Sequence, residues 1–172
     1  GRYDIAFLCS ILLHLANPFA ALRQVAAVAD RGVVVTDVAP PLLYGGEAGA
    51  VVEFNPGEEP GNLVNWWGLS PGAVARMLRV LGFARTTVRF HEIRFHRDHD
   101  PAREQVQRFM FTVIGERRAG DVAFLEPTDE ERDAERTVRR LIPVLTLEQL
   151  KAQAAMAREL DAIHRSLAWR AM

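Results

Sequence analysis

Apolar and polar positions alternate between two periods along this chain. An apolar run from Ile5 to Leu13 follows Tyr3-Asp4 and is broken by His14 and then by Asn17-Pro18. A short apolar run bounded by turn signals reads as a strand buried on both faces, as in parallel sheets. Asn17-Pro18 then opens a helix, with Asn as N-cap and Pro at the first helical position. Phe19, Leu22, Val25, Ala26 and Ala29 recur at helical spacing, and Gly32 is the expected stop. Val33, Val34 and Val35 form a second buried strand that ends at Thr36-Asp37. Strand, helix and strand at these lengths suit a right-handed βαβ crossover.

The pattern loosens over residues 39–65, where Pro40-Pro41, Gly45-Gly46 and Asn55-Pro56-Gly57 predict a long irregular loop. Leu42, Leu43, Tyr44, Val51, Val52 and Phe54 argue against plain disorder there. Ser70-Pro71 repeats the cap, Val74, Leu78 and Leu81 make one helix face, and Gly82 closes it. Residues 86–95 are strand-like, with a slip in the alternation between Phe90 and Ile93 that predicts a bulge. A polar turn over 97–105 and a strand over 107–116 complete an antiparallel pair. From Leu125 the character is helical. Thr128-x-x-Glu131 and Thr146-x-x-Gln149 match the capping box, and Pro143 separates two segments. Met156, Leu160, Ile163 and Leu167 form a short heptad-like seam, expected to dock on the domain or to mediate self-association through the 147–172 helix.

Composition narrows the class. The 172 residues allow one domain with an appendage, and 49% hydrophobic with 25% charged residues is ordinary for a globular protein. A net charge of -1 supplies no global field for nucleic acid or an anionic membrane. Lys151 is the only lysine, a skew that points to GC-rich coding. Cys9 is the only cysteine, so no internal disulfide forms and a cytoplasmic setting is the default. No apolar run reaches the roughly 18 residues of a membrane span. The chain begins at Gly1 a few residues before its first strand, and is expected to be a piece of something longer whose start would hide any signal peptide.

Candidate chemistry follows from position. Ligands of open α/β sheets sit beyond the carboxyl ends of the strands, where Cys9, Ser10 and His14 fall. His14 is either a base titrating near neutrality or a packed histidine shaping the turn. Cys9 lacks an adjacent base to make it a nucleophile, and buried β packing is its alternative. Asp37 is either a general base or a turn residue. Asn65-Trp66-Trp67 suits stacking on a sugar or base beside an amide hydrogen bond, or a clamp of the loop onto the sheet, with one Trp in the core and one lining a pocket. His91, His96, His99 and Asp100 fit no trusted zinc spacing, and Arg89, Arg94 and Arg97 would repel a cation, so no metal site is expected.

The order βαβ, long loop, helix and antiparallel pair resembles the C-terminal half of a class I S-adenosylmethionine-dependent methyltransferase. Tyr3-Asp4-Ile5-Ala6-Phe7, Leu13-His14-Leu15-Ala16-Asn17-Pro18, Asn65-Trp66-Trp67 before Ser70-Pro71, and Met77-Leu78 through Leu81-Gly82-Phe83 carry the resemblance, over roughly residues 2–118. They are similar to the branch near the tRNA wobble-uridine carboxymethyltransferases. The resemblance implies an α/β fold, a partial Rossmann-like methyltransferase sheet (strands four to seven) over 1–118, with a helical extension or linker over 119–172. It also implies S-adenosylmethionine as cofactor, touched by Cys9, Ser10 and Ile11; His14 and Asp37 as catalytic groups; and a small-molecule or carbohydrate acceptor under the 39–67 loop, lined by Tyr44, Asn65 and Trp66 or Trp67. The Gly-rich turn of such enzymes is absent, and Gly45-Gly46-Glu47-Ala48-Gly49 is no strand-to-helix turn, so the chain alone is expected to be inactive. Ile163 to Arg170 is similar to helical linkers of bacterial surface-polysaccharide enzymes. Two other readings are tRNA modification, which the near-neutral charge argues against, and a non-catalytic scaffold that binds through 128–172.

Overall fold

The computed structural model describes residues 1–39, 43–44, 49–54, 65–96, 104–142, 144–145 and 149. The chain is an α/β fold. Strands β1 (Tyr3–Cys9) and β2 (Ala29–Val38) flank helix α1 (Pro18–Val28) in sequence and pair in parallel. Two very short strands follow, β3 (Leu43–Tyr44) and β4 (Val52–Phe54), then β5 (Trp67–Leu69) and helix α2 (Pro71–Val80). The long strands β6 (Arg85–His96) and β7 (Gln105–Glu116) come next, then α3 (Asp129–Leu141) and the two-residue β8 (Val144–Leu145). The main sheet runs β1-β2-β7-β6, a partial Rossmann-like arrangement of parallel and antiparallel strands. None of the described helices is long and apolar enough to cross a membrane.

The caps act as the sequence requires. Asn17 Oδ1 accepts from the Ala20 amide at 2.9 Å, and Ser70 Oγ from the Ala73 amide at 3.2 Å. Thr128 and Glu131 form a full capping box. Gly82 ends α2 with φ +89°, the left-handed value that favours glycine. The second capping box at Thr146 and the seam from Met156 to Leu167 lie outside the described residues, apart from Gln149.

One core holds the sheet to its helices. Leu22 and Ala26 of α1, Val74 and Leu78 of α2, and Phe83 pack with Val33, Val35, Phe111 and Val113. Arg117 closes this layer from the edge. Its guanidinium lies 4.4 Å from the Phe83 ring centroid and donates to the Leu81, Ala26 and Ala29 carbonyls at 3.2, 2.6 and 3.3 Å. One cation thereby satisfies carbonyls that both helices leave open at their C-terminal ends. A different cation holds α3. Arg139 donates to the Val88 carbonyl at 2.9 Å, Glu135 accepts from the Phe90 amide at 3.3 Å, and Val138 and Ile142 enter the core. The outer edge of β6 is thus bonded to side chains of α3.

Four expectations are corrected. Gly32 does not stop α1. The helix ends at Val28 and β2 begins at once, with Gly32 inside it paired to Ile5 and Glu116. A Cβ there would stand 2.7 Å from Val122 Cγ1 and 3.1 Å from the Gly115 carbonyl, so this glycine serves close approach. No bulge separates Phe90 from Ile93; β6 and β7 keep one register from Arg85–Glu116 to His96–Gln105. The alternation slips because β2 ends at Val38, opposite Met110, and beyond that point the hairpin overhangs the sheet and its other face becomes covered. The 39–65 segment is not wholly irregular. β3 pairs with β8 and β4 with β5, in strands too short to show a period. The apolar run at Ile5–Leu13 is likewise divided, β1 stopping at Cys9 before a 3₁₀ turn over Leu12–His14.

Gly32→Ala is expected to destabilise the fold by about 1–3 kcal/mol through overpacking against Val122. Urea denaturation of the two chains measures this, and an unchanged midpoint would refute the close-approach role.

Candidate functional site

The site lies where β1 and β2 end and the β6–β7 hairpin overhangs them. β1 delivers Ser10, whose φ of +50° is rare for a residue with a side chain. Its amide donates to the Thr36 carbonyl at 2.7 Å, which extends the β1–β2 ladder by one bond while the chain turns out of the sheet. Buried Leu12 anchors the 3₁₀ turn that follows and sets His14 beside the end of β2.

β2 delivers Asp37, which is 3% exposed. Its Oδ1 accepts from the Val38 amide at 2.8 Å, whereas Oδ2 is buried with no hydrogen-bond partner among the described residues. Burial pushes the Asp37 carboxyl above the usual aspartate range, and the Val38 and Leu13 amides and nearby His14 pull it partly back. A buried acceptor without a donor is costly and rare, which makes this position a candidate for function.

The third wall is the β4–β5 pair. Trp67 is fixed on three sides. Its indole donates to the Leu15 carbonyl at 2.9 Å, its ring stands 4.9 Å from that of Phe54, and it packs on the core. The Trp66 amide donates to the Leu13 carbonyl at 2.8 Å, so this strand is tied directly to the turn bearing His14. Ser70 fastens the other end, donating to the Gly49 carbonyl at 2.7 Å and accepting from the Val51 amide at 2.9 Å.

Together these segments enclose a cavity of about 570 Å³ lined by Ser10, His14, Asp37, Asn65 and Trp67. Five of the nine residues singled out from sequence therefore meet in one place. Cys9, Ile11 and Trp66 lie outside the lining, and Cys9 is exposed rather than packed in the sheet. Tyr44 is placed in β3, but its side chain is outside the described residues. Sequence reasoning missed Glu53 of β4 and Ile93, Phe95 and Arg108 of the overhang. Only the overhang itself makes them neighbours of Asp37. Residues i and i+2 of a strand share a face, so Arg108 follows Met110, and Phe95 follows Ile93, into the cavity.

His91 lines a second groove, of about 830 Å³, on the sheet face beside α3, with Phe7, Val34, Ile114 and Phe124. His99 and Asp100 lie outside the described residues. Among the described residues no three His, Cys, Asp or Glu side chains converge as a metal site.

No protein-family profile matches the chain. No curated protein matches it either. Two solved structures that do match are the N-terminal domain of EvdMO1 with S-adenosylhomocysteine (SAH) bound and the same domain in the presence of SAH and D-fucose. Each is 22% identical with a TM-score of 0.43, over 69% of this chain and 48% of the other. The chain thus spans about half the length of these structures. At that TM-score the likeness is slight, and the site stands on its own residues.

The Asp37 carboxyl yields a signed expectation. A carboxyl whose pKa rises on folding holds its proton more tightly in the native state. Its charged form therefore costs stability above the raised pKa, and the cost fades as pH falls through it towards the unfolded value of about 3.9. Asp37→Asn is expected to melt a few degrees higher than the parent at pH 8, with the gap closing in acid. Thermal melts from pH 8 to pH 4 measure this, and a variant less stable throughout would show that Asp37 is structural.

Proposed function

We propose that the cavity serves methyl transfer from S-adenosylmethionine to a small-molecule or carbohydrate acceptor. One observation carries this reading. A buried carboxylate with an unpartnered oxygen stands beside an imidazole, at the carboxyl ends of two parallel strands. When bound, the cofactor supplies an electrophilic methyl on a sulfonium. Such a transfer needs alignment of acceptor and methyl, and one group to take the acceptor proton.

The residues divide the work. Cys9, Ser10 and Ile11 would hold the cofactor through backbone groups, and the turned-out peptide at Ser10 suits that role. His14 and Asp37 would receive the proton lost as the acceptor oxygen bonds to the methyl carbon. A carboxylate whose pKa is raised by burial takes a proton more readily than an exposed one. Trp67, braced by Phe54, offers an aromatic face for a sugar ring, and Asn65 an amide beside it. Tyr44 is assigned to the acceptor side from sequence. The net charge of -1 favours a small acceptor over tRNA.

Amide chemical shifts of the 172-residue chain, titrated with SAH to its solubility limit, test the assignment. Shifts centred on Ser10, Ile11 and His14 are expected. Shifts centred on the groove beside α3, or none at Ser10 to His14, would overturn it.

A further inference from the structure

The cavity holds one cation that the proton-transfer chemistry does not use. Arg108 is the only arginine lining it among the described residues. On the opposite face of the same hairpin charge is matched. Arg94 pairs with Glu92, which also accepts from Gln107 at 2.7 Å. On the cavity face no carboxylate of the described residues reaches Arg108 at ion-pair distance, and its guanidinium carbon lies 5.9 Å from the centroid of the Phe95 ring. Glu53, which with Asp37 makes the two carboxyl side chains of the lining, is turned onto the β4–β5 pair, where a Cβ on Gly68 would lie 3.3 Å from its Oε2. Arg108 thus has its guanidinium over an aromatic ring, and no carboxylate of the described residues occupies its fork of donors. That fork matches a planar carboxylate or a phosphate two bonds at a time.

The register gives the spacing. Asp37 is the partner of Phe111, and Arg108 lies three residues further along β7, on the face that Val38 and Met110 share; the two line one cavity because β2 ends between them. Three residues of an antiparallel strand span about 10 Å, a distance that a monosaccharide and the long Arg108 side chain together bridge. Trp67 and Asn65 line the same cavity and suit the ring itself.

We propose that Arg108 determines specificity by binding an anionic group, a carboxylate or a phosphate, on a monosaccharide acceptor whose reacting hydroxyl faces Asp37 and His14. This rests on the methyl-transfer reading and adds the acceptor's charge to it.

The test titrates the 172-residue chain, without cofactor, with methyl β-D-glucuronide, α-D-glucose 1-phosphate and methyl β-D-glucoside, following the Trp67 indole N–H resonance. One of the two charged sugars is expected to bind about tenfold more tightly than the neutral one, the worth of a charge-assisted pair. The tighter of the two names the anion. The preference is expected to shrink in 0.5 M NaCl and to vanish in Arg108→Gln, with Arg108→Lys intermediate and all variants melting like the parent. Equal response to charged and neutral sugars, including none to any of them, overturns the proposal, as does a charge preference that survives Arg108→Gln. Failure of SAH to shift Ser10 to His14 while the charge preference holds would refute the methyl-transfer reading and leave Arg108 as an anion site.

Discussion

Everything at the site depends on where β2 stops. This strand is paired in parallel to β1 on one edge and antiparallel to β7 on the other, so both neighbours take their register from it. Its last pair is Val38–Met110, yet the hairpin partner continues for several residues more. A shelf is left beyond the strand end, floored by the overhang and walled by the turn after β1. The buried Val33 and Val35 hold β2 in place, and Asp37, two residues on, is carried to the rim of that shelf by the same alternation. A one-residue slip of β2 would turn Asp37 to the other face.

Holding an under-bonded carboxyl in that position costs stability, and the surrounding bonds offset it locally. Trp66 and Trp67 each bond to the turn that bears His14, Ser70 gathers the chain on either side of residue 50, and Arg117 ties both helices at the far end of the sheet. Rigid support around a poorly satisfied polar group is the usual physical form of a functional site. Ser10, with its positive φ, belongs to the same set of local exceptions.

The sequence made the framework legible because its signals there are long or chemically specific. The βαβ unit, both Pro-started helices and the antiparallel pair come from apolar runs and caps that act over ten or so residues. His14, Asp37, Ser10, Asn65 and Trp67 stand out as candidates in the sequence because strand ends and a paired-Trp motif are readable positions, and the fold brings them to one cavity. Glu53 and Arg108 were not, since their relevance comes from a two-strand overhang and a three-residue strand that no local period encodes. Gly32 misled for a related reason: a glycine after a helical run is usually a stop, but here tertiary contact with Val122 set its place.

The clasp of α3 on β6 has a geometric consequence. Glu135 and Arg139 occupy the amide of Phe90 and the carbonyl of Val88, so a further strand could not pair with the middle of β6 on that side without displacing them. β1, at the opposite margin, is paired to β2 alone among the described strands and displays Tyr3 and Phe7 at 65% and 61% exposure. The two margins of the sheet are therefore unlike: one is bonded into by a helix, and a strand added at the other would pair with the strand whose end opens into the cavity.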